Sequence, residues 1–573
     1  MQEDKKTEEE EMAKKTAQEQ FIADKIAAGF DRKTMTKYVE ANWNDMQGLI
    51  TRGYKSLKAA TYLLLKIDEN DVPGAKQYFK ELVNEDYITT EYSIRTGNIK
   101  KNKINGDPDQ AVHIAFSSRG LEKLGLDKRV RDTFSREFLE GMSPDKKFGK
   151  ERATLLGDSK KSKSENWLWG SENKRVDCVI MLYAKDCTGL KKLKMDMYDN
   201  KKRGVKMFYE AETLETKEDV EIKEHFGFKD GISQPIIKGF TKSGSFDFEE
   251  SQLVNAGEFI LGHKNVYNKD KREYDKNKKP HYNYSPNPYI PKEAADESGE
   301  YKNLSFRRGG VKNLGLNGTY LVFRQMEQHV ERFWNYNYTK SREEGHTTAE
   351  KAVNLASKIV GRFPNGDPLV KPNKGTCPFS KEQANNFGYA KEDKDGVLCP
   401  LGAHIRRTNP RDQVHTGRDA KDSLEMSNTH RMLRRGRIYG EPLLNFDINA
   451  IIDHVKHLKQ ILANEIINEE AIKLADIKRG LHFICLVSDI ARQFEFVQNV
   501  WANTPTFADL GKEVDPIIST RPTIGSSTIC NEFTVPKETL RNRYTGVPEF
   551  TTIVGGEYFF MPNIRALRYI IKS

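Results

Sequence analysis

The 573-residue chain has no apolar run long enough to cross a membrane as a helix, and only 37% of its residues are hydrophobic, so no membrane span is expected. Its six cysteines, at positions 178, 187, 377, 399, 485 and 530, form no CxxC pair. Three of them sit in apolar or strand-like surroundings, which reads as reduced, structural thiols in a cytoplasmic setting. The opening MQEDKKTEEEEMAKK has neither an apolar h-region nor a twin arginine, so no export signal is expected and a cytoplasmic location is. A dominant charge is lacking too. Lysine and arginine outnumber the acids by 93 to 83, a formal +10, but the signs are mixed along the chain and the excess serves solubility rather than implying nucleic acid.

What is present suggests two domains with elaborations, since the length exceeds the usual range of one hydrophobic core. Residues 1–40 read as a charged, partly helical or disordered arm. Order begins near WNDMQGLITRGYK. The run Ala60 to Ile67 reads as a buried strand, Val72 to Val83 as a helix with Pro73 in its first turn, HIAFSSRGLEKLGL as strand then helix, and RVDCVIMLYAKD as a strand. Strand, helix, strand, strand suggests a ferredoxin-like βαβ module over residues 41–236. Residues 237–316 form a long polar connection whose lysine- and tyrosine-rich stretch reads as an exposed loop. From 317 order returns: a strand from Tyr320 to Phe323, a helix carrying Trp334, a helix ended by Gly361, and two amphipathic helical patterns in an insert over 446–478. In GLHFICLV, Leu481, Phe483, Cys485 and Val487 share one strand face and Ile484 and Leu486 the other, predicting a central, buried strand.

Two segments carry chemistry. CPLGAHIRRTNPRD, residues 399–412, brackets His404 with Arg406, Arg407 and Arg411. Crowded guanidinium groups disfavour a protonated imidazole, so His404 is expected as a neutral nitrogen ligand and the arginines as partners for an anion. A haem group has both features, an iron that takes an axial histidine and propionates that take arginine forks. EHFGFKDGISQP presents Asp230 between Gly227 and Gly231, a sharp turn that on its own is also an ordinary Asp-Gly turn.

Taken together, GFKDG at 227–231, CPLGAHIRRTNPRD, the RRG of MLRRGRIYG and the strand GLHFICL resemble the dye-decolorizing peroxidases, with similarity running from WNDMQGLI to EYFFMPNIRALR. The resemblance implies an α+β chain of two ferredoxin-like βαβ modules with antiparallel sheets, the second over residues 317–573 holding haem b. It implies His404 as the proximal iron ligand, Asp515 as the acid beside that imidazole, and Asp230 and Arg434 as the catalytic pair. Leu481 and Phe483 would line the peroxide pocket, and Arg406, Arg407 and Arg411 are the propionate candidates. Two departures stand out: Arg437-Ile438 replaces the family's Ile-Pro before Tyr439, and the 446–478 connection is longer than usual.

The implied activity is reduction of hydrogen peroxide coupled to one-electron oxidation of organic donors such as phenols and dyes. Because Leu481 and Phe483 would exclude bulky donors, Tyr439 is the first candidate for an electron relay. A rival reading is a haem-binding or haem-handling protein, resembling a deferrochelatase, with incidental peroxidase activity; it needs His404 and the arginines but not Asp230 with Arg434. Neither nucleic acid nor a membrane is an expected partner, and association of like chains is left open.

Overall fold

The computed structural model describes residues 43–572 apart from 92–97, 100–101, 104–107, 144–150, 217–222, 238–239, 241–251, 266–286, 297, 306–310, 343–347, 372–378, 380–382, 415–418, 464–476, 525–526 and 538–539. The charged arm, most of the lysine- and tyrosine-rich stretch and the second half of the 446–478 insert lie outside the described residues.

The first half contains β1 (Ala59–Ile67), α1 (Val72–Asn84), β2 (Gln110–Phe116), α2 (Ser118–Lys123), β3 (Cys178–Ala184), α3 (Cys187–Lys194) and β4 (Val205–Glu212). The second contains β5 (Thr319–Gln328), α4 (Val330–Arg342), α5 (Ala349–Val360), α6 (His404–Thr408), α7 (Ala420–Thr429), β6 (Leu433–Arg434), β7 (Arg437–Tyr439), α8 (Ile448–Ala463), β8 (Gly480–Val487), β9 (Thr551–Met561) and α9 (Ile564–Lys572). Their strands form one sheet in the order β6–β8–β5–β9–β2–β3–β1–β4, with β7 also on β8. Each half repeats one antiparallel pattern: β1 and β3 are central in the first, flanked by β4 and β2, as β5 and β8 are in the second, flanked by β9 and by β6 with β7. That is the ferredoxin-like arrangement, present twice.

The halves join at two seams. One is the pairing of Phe560 on β9 with Phe116 on β2. At the other, the Leu214 N–H just past β4 donates to the Ile438 carbonyl of β7 at 2.9 Å, and His482 Nε2 contacts the Glu212 carbonyl at 2.9 Å. The edges of the sheet meet, closing a barrel. Closure explains why β1 is a nearly unbroken apolar run: Tyr62 and Leu64 pack inside the barrel with Tyr183, Phe323 and Ile484, whereas Leu63, Leu65 and Ile67 face the helices. A strand covered on both faces has no solvent side to mark with polar residues.

Helix α1 begins where the Asp71 side chain accepts the Gly74 N–H at 2.9 Å. It buries Ala75, Tyr78, Phe79, Leu82 and Val83, the i, i+3, i+4, i+7, i+8 stripe of an amphipathic helix. Strand β5 is longer than its apolar run suggests, continuing from Phe323 through Arg324, Gln325 and Met326 to Gln328. The polar residues are held inside, Gln325 by accepting the Trp169 Nε1–H at 2.7 Å and Arg324 by an ion pair with Asp158.

The described part of the insert, α8, packs Ile451, Ile452 and Val455 against Phe333, Trp334 and Leu355 of α4 and α5. Its first residue, Ile448, abuts Gly227, where a Cβ would sit 3.0 Å from the Ile448 side chain. The insert therefore braces the GFKDG turn from behind.

Candidate active site

Between β5, β8, the loops of the second half, the 224–233 segment and residues 156–162 of the first half lies a cavity with about 1910 Å³ of atom-free space, its mouth included. Its walls hold His404, Asp230, Arg434, Leu481 and Phe483. A second cavity, sharing Asp230, Arg434 and Leu481 with the first, opens past Lys55 and Arg437. Arg437, a departure from the family pattern, thus helps form this second opening, with Nη2 donating to the Tyr54 carbonyl at 2.7 Å.

His404 opens the short helix α6 and keeps 26% of its side chain exposed, toward the cavity. Its Nδ1 meets Asp515 at 2.9 and 3.1 Å, which leaves Nε2 on the cavity side. Asp515 is fully buried, and Oδ1 also accepts the Ile517 and Ile518 N–H groups at 2.8 and 3.0 Å. Burial alone would raise this carboxyl, but the imidazole and the two amides hold it below its usual range.

The same contact, rather than the neighbouring arginines, dominates the electrostatics of the imidazole. Burial pulls His404 down, yet the charge and hydrogen bond of Asp515 outweigh burial and lift it above the ordinary histidine value. The carboxylate is 111 residues away in sequence, and Arg406 and Arg407 point elsewhere. An imidazole held this way is oriented by its second nitrogen and is a more basic ligand.

Facing it, the GFKDG turn uses left-handed backbone at Gly227 (φ 94°) and Gly231 (φ 74°), which only glycine adopts without strain. Asp230 is presented at the tip and accepts the Gly231 N–H at 2.5 Å and Arg434 Nη1 at 3.2 Å. Burial works to raise the carboxyl, but Arg434, the Gly231 amide, Lys55 and His404 together hold it below its usual range. Asp230 is therefore a carboxylate at neutral pH. His404, Asp230 and Arg434 line one cavity.

Two of the three arginines beside His404 lie away from the cavity. Arg406 donates to Asp393 Oδ2 at 3.0 Å, the Cys399 carbonyl at 2.6 Å and Gln413 at 2.6 Å. Arg407 donates to the carbonyls of Trp501, Thr504 and Glu513. Both are structural crosslinks, so their assignment to propionates is corrected. Arg411 does line the cavity, stacked 3.8 Å over Phe387. Beside it stand Arg362 and Arg431, which the sequence reading missed; nothing but an arginine following a helix-ending glycine or a His-Arg pair signals them. Arg362 Nη2 and Arg431 Nη2 are buried and have no hydrogen-bond partner. Burial, reinforced by Arg411 and Arg434, lowers Arg431 to about 9 and helps bring Arg362 to about 10. A buried cation stripped of its partner costs roughly 3–5 kcal/mol, so this cluster is built for an anion supplied by a ligand.

Tyr439, the relay candidate, is buried, donates to the Met326 carbonyl at 3.3 Å and stacks 4.5 Å from His482. Met326 itself lines the cavity. His329 contacts Thr552 Oγ1 at 2.8 Å, as a packing residue should.

A haem fits these residues: His404 presents a ring nitrogen to a roomy cavity, the buried Nη2 atoms of Arg362 and Arg431 await carboxylates, and the described residues contain no cluster of three or more side chains suited to holding a metal ion by themselves. Fold and cavity together define a barrel of two ferredoxin-like halves in which His404 and an acid–guanidinium pair line one cavity.

Residues 45–214 match the model of the DyP dimeric alpha+beta barrel domain. Dye-decolorizing peroxidase msp1 of Mycetinis scorodonius is 24% identical over 540 residues, covering 93% of this chain and 88% of its own. Multifunctional dye peroxidase DyP2 of Amycolatopsis is 31% identical over 256 residues, 44% of this chain and 48% of its own. Among solved structures, a dye-decolorizing peroxidase bound to 2,6-dimethoxyphenol superposes with a TM-score of 0.65 at 23% identity, covering 93% of this chain and 99% of that one, and so shares the fold. The chain is thus similar over nearly its whole length to dye-decolorizing peroxidases, and its residues 45–214 match the barrel domain that bears their name.

Proposed function

We propose that this chain is a haem peroxidase that reduces hydrogen peroxide and oxidises organic donors such as phenols and dyes. The observation that carries the reading is the Asp230–Arg434 pair, set 3.2 Å apart across the cavity from His404. A haem-handling protein needs a ligand and propionate partners, but has no use for a carboxylate held ionised beside a guanidinium. When bound, haem b would supply the redox centre that accepts two electrons' worth of oxidation and passes it to donors one electron at a time. His404 would hold the iron through Nε2, with Asp515 fixing the ring, and Arg362, Arg411 and Arg431 would meet the propionates.

The protein's part in the peroxide step is to move one proton and to stabilise charge. Asp230, ionised, accepts the proton from one peroxide oxygen and returns it to the other, which departs as water once the O–O bond breaks. Arg434 stabilises the negative charge that builds on the departing oxygen, and holds Asp230 in reach of both oxygens. Leu481 and Phe483 keep the space narrow and apolar, so water and bulky donors are excluded from the reacting atoms. Haem reconstitution followed by a peroxide-driven phenol oxidation assay, with D230N and R434L beside the wild type, tests the reading. Full haem binding without peroxide turnover in the wild type would sink it.

The arginine assignment has its own test with two opposite signs. Arg431→Met should weaken haem retention by about 2 kcal/mol or more, as expected for truncating one member of a buried charge pair. The same variant should raise the melting temperature of the haem-free protein, because an uncompensated buried cation has been removed. Unchanged haem retention would reassign Arg431.

Donors too large for the cavity would deliver electrons through the protein, and Tyr439 keeps its candidacy as a relay from a buried position one hydrogen bond from the backbone of Met326. Tyr439→Phe should slow turnover of a large dye while leaving the reaction with peroxide intact; equal dye turnover would dismiss the relay. The free thiols of Cys178, Cys187, Cys399, Cys485 and Cys530 support a reducing, cytoplasmic location. No helix among the described residues is long and apolar enough to cross a membrane.

A further inference from the structure

Glu224 forms part of the wall of both cavities and stands six residues before Asp230 on the same turn. Its two carboxyl oxygens close that turn: Oε1 accepts the Phe228 N–H at 3.0 Å, and Oε2 accepts the Phe226 N–H at 2.9 Å and Gln328 Nε2 at 2.6 Å. The backbone completes the clamp, with Gly227 N–H donating to the Glu224 carbonyl at 2.8 Å and Glu224 N–H to the Phe228 carbonyl at 2.9 Å. The route from Glu224 to Asp230 is thus a rigid loop fixed at its base by one side chain.

We propose that Glu224 is the positioning residue for Asp230 and that, by staying uncharged, it keeps the Asp230–Arg434 pair electrically balanced while peroxide reacts. The inference rests on the peroxidase reading above. With Glu224 neutral, the trio carries one negative and one positive charge. Once Glu224 ionises the trio is net negative, and it opposes the charge that must build on the departing oxygen.

The charged and titratable groups sharing its walls are Lys223, Lys229 and Asp230 on its own turn, Lys55 from the segment before β1, Arg324 on β5 with its partner Asp158, then Arg362, Tyr389, His404, Arg411, His430 and Arg431 around the first cavity, and Arg434, Arg435 and Arg437 from β6, β7 and the turn between them. Helix α8 presents the apolar Ile448 to the turn, and His225 turns away to the Tyr439 carbonyl. Burial drives Glu224 upward, Asp230 adds to the rise, and the three hydrogen bonds only partly oppose it, so the group titrates at about 7 while its neighbour stays ionised. Two carboxyls in one site pushed apart in this way mark different acid–base roles. Oε1, with a single acceptor bond, has the room for the proton.

The test is the second-order rate of the haem-loaded enzyme with hydrogen peroxide, followed at the Soret band from pH 5 to 9. The wild type should lose about tenfold in rate as pH rises through the Glu224 titration. Glu224→Gln, which cannot ionise, should lose that alkaline limb while keeping the low-pH rate within about tenfold. Glu224→Ala should be slow at every pH. A limb unchanged in Glu224→Gln overturns the proposal, as does an Ala variant as fast as the wild type. Should Glu224→Gln fail to fold, Gln328→Leu serves: it removes a hydrogen bond that favours the anion, so the limb must move to higher pH, and no shift or the opposite shift is contradictory. Asp230→Asn is the control. If it reacts at the wild-type rate the peroxidase reading fails; if it is slow while Glu224→Gln keeps the limb, only the role of Glu224 fails.

Discussion

Asp230→Asn should slow the reaction of the haem-loaded enzyme with hydrogen peroxide by about 10²- to 10⁴-fold, the usual contribution of a positioned acid–base group. Asparagine keeps the size of the side chain and can still accept from the Gly231 N–H, so the turn should survive; what it lacks is an oxygen basic enough to take the peroxide proton. Haem content and the Soret band should be those of the wild type. Arg434→Leu should cost about 10²- to 10³-fold through lost stabilisation of the departing oxygen. Because the two side chains bond each other at 3.2 Å, the losses should not add in the double variant. A pH dependence follows with a definite sign. Asp230 acts as a base and is held below the ordinary carboxylate value of 3.8, so its contribution is present above that depressed pKa and disappears as pH falls through it. The acid limb of the peroxide rate should therefore lie below pH 3.8, and a limb near pH 5 that vanishes in Asp230→Asn would contradict the electrostatic account.

His404→Ala should remove the haem. Two histidines line the cavity, but His430 turns Nδ1 to the Arg492 carbonyl and stacks on Phe496, and among the described residues no cluster of metal-binding side chains offers a replacement. Purified His404→Ala, mixed with haem and passed through a desalting column, should emerge without a Soret band. The fold should persist, because α6 is also anchored by Arg406 and Arg407, whose carbonyl and carboxylate partners do not involve the imidazole. Asp515→Asn is the milder companion: haem should bind, but through a less basic imidazole, since the lift on His404 comes chiefly from that carboxylate. A His404→Ala protein that keeps a normal Soret band would remove the residue from its place in the site.

The parts of the fold legible in sequence were those where one periodicity stood alone. Strands β1, β3 and β8 are unbroken or nearly unbroken apolar runs because barrel and helices cover both their faces, and α1 and α5 are bounded by Asp71 and by Gly361, whose φ of 101° suits only glycine. Strand β5 was cut short at Phe323 because Arg324 and Gln325 look like solvent residues until Asp158 and Trp169 are placed beside them. The same holds in the site. Asp230, His404 and Arg434 sit in local motifs and could be picked out. The fate of each arginine is set by partners far along the chain: Arg407 is consumed by carbonyls 94 to 106 residues away, whereas Arg431, in an unremarked His-Arg-Met, is left unpaired in the cavity. Basicity shows the same dependence on distant neighbours, since the arginines adjacent in sequence would lower the imidazole and Asp515 raises it instead.

One measurement bears most directly on the claim that Asp230 and Arg434 serve a peroxide reaction on a haem held by His404. Haem-reconstituted protein is mixed with one equivalent of hydrogen peroxide, and the Soret band is followed in a stopped-flow instrument. The account predicts a fast spectral change in the wild type, reversed on adding a phenol, a change slowed by orders of magnitude in Asp230→Asn, and no Soret band to follow in His404→Ala. A wild-type spectrum that binds haem but does not respond to peroxide, or an Asp230→Asn protein that responds as fast as the wild type, would contradict it.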